Sequence, residues 1–155
     1  MRRVLAAFLI ISIGVSTASA KQRHCSVRLH VQANAHDSEV FATQLRSQIT
    51  GKPVVIEKTA SISERDVAAF RPYPASDGSF GVLLQLDEHG KLALDTLSIE
   101  HRGTALFVFV NGRPITELQI DRRITDGKIY LASGLNAADI ELMRKDWRLI
   151  GQRKK

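Results

Sequence analysis

The chain has 155 residues, a formal charge of +6, 44% hydrophobic residues and one cysteine. That length suits one domain built around one core, and a lone cysteine rules out an internal disulfide. The basic residues Arg144, Lys145, Arg148, Arg153, Lys154 and Lys155 gather at the C-terminus and read as a solvated tail rather than a nucleic-acid or lipid site.

Arg2 and Arg3 precede an apolar run over residues 4–15, and Ala18-Ser19-Ala20 has the small-x-small form of a cleavage site. This pattern predicts a Sec-type signal peptide over residues 1–20, removed on export, and a periplasmic location. The run is about a dozen residues against the roughly 20 that a bilayer span needs, so an uncleaved anchor is the weaker reading. No later run approaches that length.

Cys25, Val27, Leu29 and Val31 alternate with Ser26, Arg28, His30 and Gln32, which predicts a half-buried strand with Cys25 as a small buried hydrophobe. Asp37 or Ser38 is expected to cap a helix reaching Ile49, because Phe41, Leu45 and Ile49 recur every four residues. Gly51 would end it, and Val54, Val55 and Ile56 centre a short strand. Ser63-Glu64-Arg65-Asp66 has capping-box spacing and opens a single helical turn. Residues 71–79 hold Pro72, Pro74 and Asp77-Gly78 and read as a turn region.

Phe80, Val82, Leu84 and Leu86 define the inward face of the next strand. Asp87 caps a helix to about His101 that turns Leu94, Leu97 and Ile99 toward the sheet. Gly90 in its first turn is poor for helix propensity and points to close packing there. Residues 105–110 are apolar on both faces, so this strand is central to a sheet. Asn111-Gly112 supplies a tight hairpin turn, and Pro114 requires the returning strand to begin there or lie on an edge. Phe109→Asp is expected to unfold the domain. Asp126-Gly127 marks a further turn before a short strand carrying Ile129 and Leu131. Asn136 and Asp139 cap the last helix, Leu135 and Ile140 staple it, and Ile140, Met143 and Trp147 form its buried stripe. The sum is one α+β domain over residues 21–150. It has a single, largely antiparallel sheet of about five to six strands, with two to three helices mainly on one face.

Candidate chemistry is sparse. His24 and His30 share a strand face but stand roughly 20 Å apart, and His89 and His101 lie about 18 Å apart along one helix. Neither pair can ligate one ion, and no structural zinc spacing is present. Asp87, Glu88 and His89 are neighbours whose side chains leave the helix in different directions. No Gly-x-Ser-x-Gly elbow, Cys-His signature, phosphate loop or aromatic-interleaved basic patch occurs. The expectation is therefore no catalytic residue, no metal, no cofactor and no nucleic-acid partner.

Residues 62–67, residues 82–91 with their Asp87-Glu88-His89-Gly90-Lys91 turn, and residues 106–115 with Asn111-Gly112 resemble the periplasmic P1 head region of the SecD subunit of bacterial protein export. Residues 124–127, Ile129 and residues 134–140 extend the likeness, which runs from Ile62 to Trp147. The resemblance implies an α+β head that engages emerging polypeptide. SecD itself couples proton flow through membrane segments to late translocation; this sequence shows no membrane bundle and so no intramembrane carboxylate for such a pathway. The implied inheritance is the fold and a polypeptide-facing surface, without the motor.

Two functional classes follow. The first is an exported, non-enzymatic envelope module that binds a partner protein or unfolded polypeptide at a sheet edge or a helix–sheet groove. Its candidate contact residues are Arg113, Pro114, Thr116, Glu117 and Gln119 on the returning strand, with Arg71 and Tyr73 on the proline-rich segment. The alternative is a periplasmic enzyme with an unrecognised site.

Overall fold

The computed structural model describes residues 23–34 and 40–152. The expected leader, the expected helix cap at Asp37 or Ser38 and the last three tail residues lie outside them. In chain order the elements are β1 (Val27–Val31), β2 (Ala42–Arg46), β3 (Pro53–Glu57) and β4 (Ile62–Ser63), then a 3-10 turn (Glu64–Asp66). After these come β5 (Val67–Pro74), β6 (Phe80–Leu86), α1 (Glu88–Glu100), β7 (Ala105–Val110) and β8 (Arg113–Gln119). The chain then forms β9 (Lys128–Leu135), α2 (Ala137–Asp146) and β10 (Arg148–Leu149).

The strands form three sheets, not the single sheet expected: β4-β1-β7-β8, β10-β5-β6-β9 and the small pair β2-β3. All pairings are antiparallel except β10 with β5, so the α+β class and the antiparallel character hold. The sheet divides because β8 and β9, the arms that would have joined it, do not pair. Val27, Leu29, Leu106 and Val108 from one sheet meet Phe70, Leu84 and Leu131 from the other, with Leu94 of α1 and Met143 of α2, in one buried cluster. Burial of this apolar surface, at about 25 cal/mol per Å², is the main force holding both sheets and both helices together.

β7 is central, flanked by β1 and β8. Leu106, Val108 and Val110 face the common core, and Phe107 on the other face is 4% exposed. Asn111 and Gly112 take φ of 51° and 76°, the pair of left-handed residues a type I′ turn demands. Pro114 sits on an edge strand beside a bulge in the β7–β8 ladder, where no N–H is needed. The capping signals hold too. Asp87 accepts from the Gly90 N–H at 2.8 Å, and a Cβ added to Gly90 would stand 2.8 Å from the Asp66 Cβ. Asn136 and Asp139 form a reciprocal capping box on α2.

Four local expectations are corrected. Residues 42–46 are a strand, not a helix: β2 pairs with β3 from Ala42↔Glu57 to Arg46↔Pro53. Phe41 and Ile49, two of the three residues of the supposed helical stripe, are each 72% exposed. No surface was available to bury that stripe, whereas the β3 backbone was available to pair. Pro72 and Pro74 lie inside β5, not in a turn; β10 pairs only with Ala69 and Phe70, so beyond them β5 is an edge that tolerates proline. Ile99 is exposed rather than facing the sheet. Trp147 is the extended C-cap residue of α2 and packs on Phe70 from there, with ring centroids 6.4 Å apart.

Cys25 is 2% exposed and free. Desolvation by burial, then the nearby carboxylates of Asp139, Asp146 and Glu64, push its thiol up to about 12. It packs as an inert hydrophobe.

Candidate functional site

β8 and β9 are the outer strands of the two four-stranded sheets. They run antiparallel to each other and approach at Ile115 and Gly134, where a Cβ on Gly134 would stand 3.1 Å from Ile115 Cγ2. From there they part, and residues 120–127 bridge the open end. The space between them is a groove of about 660 Å³, within the range of ligand-binding clefts. Its floor is apolar, made by Leu94, Leu106, Leu118, Ile120 and Ile129, and Arg122, Asp126 and Lys128 stand on its rim.

The ladder register shows which backbone groups of β8 and β9 point away from their own sheets. The Ile120 N–H donates to the Thr104 carbonyl at 2.9 Å, and the register pairs Leu106 with Leu118 and Val108 with Thr116. Because hydrogen-bonded pairs alternate in an antiparallel ladder, Leu118 and Thr116 direct their N–H and C=O to β7. Those of Glu117 and Gln119 then point outward. Likewise the Leu86 N–H donates to the Gly127 carbonyl at 2.8 Å, so Ile129 and Leu131 bond to β6 while the Tyr130 backbone points out. Among the described residues, no strand pairs with either outer edge.

The bridging segment is firmly held. Arg123 donates Nε and Nη2 to the two carboxylate oxygens of Asp95 at 2.6 and 2.8 Å. Ser98, 1% exposed, accepts from the Ile124 N–H at 2.8 Å. The groove is therefore a built feature of the fold, anchored to α1.

The residues expected from sequence to contact a partner separate by role. Arg113 donates to buried Asp139 at 2.5 Å. The Glu117 carboxylate accepts from Ser47 Oγ at 2.8 Å and from the Gln48 N–H at 2.5 Å, latching the β2–β3 hairpin over Phe107. Gln119 donates its side-chain amide to the Gly103 carbonyl at 3.0 Å. The side chains of Arg113, Glu117 and Gln119 thus serve the fold; Gln119 lines the groove, and Glu117 points its backbone outward from the same edge just beyond that lining. Pro114 is exposed and Thr116 half-buried beside the hairpin.

Tyr73 stacks on Tyr130 with centroids 5.2 Å apart and donates its hydroxyl to the Leu131 carbonyl at an irregularity in the β6–β9 ladder. Its ring covers Gly81, where a Cβ would have no room. Arg71 is exposed on the same strand. Tyr73 therefore supports β9 at the groove, whereas Arg71 stands apart from its lining. Leu118, Ile120 and Tyr130 were not singled out in the sequence, and Ile129 was read there only as part of a strand. The available signal was the polar link at Asp121-Arg122-Arg123 between two apolar strands, too long for a tight hairpin.

A second cluster joins Asp66, Asp87 and His89, whose ligand-type atoms all lie within 4.8 Å of one another. Sequence separation hid Asp66 from this group. Each carboxylate already caps backbone: Asp66 accepts from the Ser63 N–H at 2.8 Å, and Asp87 from Gly90. His89 Nδ1 lies 2.7 Å from Asp66 Oδ1. Burial alone would raise the Asp66 pKa, but hydrogen bonds from Ser63 and His89 outweigh it and hold the carboxyl below its ordinary value. The hydrogen bond to Asp66, then its charge, raises His89. Asp66 thus adds stability above an ordinary carboxylate pKa of about 4 and loses it as pH falls through its lowered value. His89 adds stability below about 6.5 and loses it as pH rises through its raised value. Thermal melts should therefore fall as pH rises above about 6.5, and His89→Gln should flatten that descent; an unchanged descent in the variant would exclude the pair as its source.

No protein-family model matches the chain, and no curated protein sequence matches it. Solved structures do match. One is of SecDF, described as a membrane component that enhances protein export, with TM-score 0.54 and 17% identity over 85% of this chain and 69% of that one. Another is SecDF in a super-membrane-facing form, with TM-score 0.54 and 15% identity over 81% of this chain and 19% of that one. Among the described residues, no helix is long and apolar enough to cross a membrane. The expected resemblance to SecD is borne out as a fold: the chain carries the fold of a SecD-like domain.

Proposed function

We propose that this chain is a protein-export-associated module of the cell envelope that contacts polypeptide at the β8–β9 groove, without motor or catalytic activity of its own. The leader pattern in residues 1–20 supports export to the periplasm, with the mature domain running from Lys21 to about Ile150 and ending in a short basic tail. The fold shared with an export component supports the association with protein translocation. The observation that carries the polypeptide reading is the groove itself: two outer strand edges flank an apolar floor. An apolar floor between unpaired backbone edges suits a chain with exposed apolar side chains and unsatisfied peptide groups, which is what an unfolded polypeptide offers.

The test is binding of the purified domain to a reduced, alkylated and permanently unfolded model protein, followed by fluorescence anisotropy. The expected result is saturable binding that the folded, oxidised form of the same protein does not show. Leu118→Glu, placing a charge on the groove floor, should weaken it at least tenfold. Equal affinity for folded and unfolded forms, or full binding by Leu118→Glu with the fold intact, would overturn the proposal.

A further inference from the structure

We infer that the polypeptide enters this groove as an added β-strand, hydrogen-bonded along β9 at Tyr130 and along β8 at Glu117 and Gln119. Its alternate apolar side chains would pack on Leu118 and Ile124, the half-buried apolar residues of the lining. The inference rests on the polypeptide-binding reading and adds the mode of capture and the class of segment selected.

Three observations carry it. The outward backbone groups of Glu117 and Gln119 are two residues apart, the repeat at which an extended partner presents its own donors and acceptors. Across the groove, the Tyr130 N–H and C=O point the opposite way, toward the same space. Beneath, the buried part of the lining is apolar and its charged residues, Asp121, Arg122, Arg123, Asp126 and Lys128, are exposed, so a strand there meets one apolar and one open face, which selects period-two alternation. Because β8 and β9 are antiparallel to each other, the added strand runs parallel to one and antiparallel to the other. It would turn two four-stranded sheets into one continuous sheet in the order β4-β1-β7-β8-added strand-β9-β6-β5-β10.

Capture of this kind is governed by backbone pairing as well as side-chain burial. It therefore favours stretches alternating Val, Ile or Phe with Thr or Ser, and it rejects prolines. Two outward residues on β8 and one on β9 limit the paired segment to a few residues. Contact with each client is then brief, as handing on a moving chain requires.

The experiment compares two fluorescent heptapeptides of sequence Lys-Val-Thr-Val-Thr-Val-Lys, one unmodified and one N-methylated at alternate residues. N-methylation removes backbone donors while leaving every side chain in place. The unmodified peptide should compete with the unfolded protein for the domain, and the N-methylated one should bind at least tenfold more weakly. Tyr130→Pro removes the outward N–H together with the ring stacked on Tyr73 and should lose peptide binding to a similar degree; Tyr130→Ala removes the same ring but keeps that N–H, so it should bind at least tenfold more tightly than Tyr130→Pro. Equal affinity for the two peptides, or binding of the unfolded protein that neither peptide competes, would overturn strand addition while leaving the polypeptide reading in place. Failure of the domain to bind the unfolded protein at all would instead remove the reading on which this inference rests.

Discussion

Val108→Asp is expected to abolish cooperative folding. Val108 is 0% exposed in the central strand β7, between Leu29 of β1 and Thr116 of β8. An aspartate there leaves a carboxylate in the apolar centre with no cation among its core neighbours. Such a charge costs several kcal/mol even after it takes up a proton, against a total stability of about 5–15 kcal/mol for a domain of this kind. Phe109→Asp, the substitution that the sequence pattern favours as decisive, should be milder. Phe109 is only half-buried, on the face covered by the β2–β3 hairpin, with its ring 5.4 Å from His30. Denaturant titration followed by Trp147 fluorescence separates the two. A sharp transition for Val108→Asp near that of the parent chain would contradict the placement of β7.

Asp139→Ala should give the second largest loss. Asp139 is 4% exposed and accepts from Asn111 Nδ2 at 2.7 Å, Arg113 Nη2 at 2.5 Å and the Asn136 N–H at 2.9 Å. One carboxylate thus joins the β7–β8 turn to the start of α2. Asn111 extends the network by accepting from the Ser26 N–H at 3.0 Å. Removing the carboxylate leaves three donors without their partner and undoes half of a capping box. The expected cost is about 3 kcal/mol, the low end for a broken buried pair because Arg113 keeps access to water. Asp139→Asn should recover part of it by retaining one acceptor. A loss below about 1 kcal/mol for Asp139→Ala would show that water replaces the network.

Much of the fold is written in local chemistry. Asp87 before Gly90, Asn136 before Asp139, and Asn111-Gly112 each fix an element boundary through bonds that form within a few residues, so sequence alone exposes them. The alternation in β1 and β6 is equally direct. Residues 40–57 misled because Phe41, Leu45 and Ile49 fit a helical period, and Gly51, with φ of 68°, suits a hairpin turn as well as a helix stop. Pairing with β3 decided the matter, and that is a non-local event. Pro72 and Pro74 misled because an edge strand tolerates what a central strand forbids, and edge status depends on how far β10 extends.

The groove was legible only in half. Pro114 allowed β8 to be an edge, one of the two placements it left open, and Gln119 lines the groove with Glu117 on the same edge, both offering backbone rather than side chain. That β9 supplies the opposing edge depends on where two sheets diverge, which no short-range pattern records. The clasp of Arg123 on Asp95, 28 residues apart in sequence, is of the same kind. So is the Glu117 latch on Ser47, 70 residues away.

The account turns on the outward edges of β8 and β9 receiving an extended chain. Amide hydrogen exchange read residue by residue, with and without saturating unfolded protein, tests this directly. The Tyr130, Glu117 and Gln119 amides should exchange quickly in the free domain and slow at least tenfold on binding, while the inward-bonded Leu118 and Ile129 amides, already protected, change little. Fast exchange at all three outward amides in the saturated complex would contradict it.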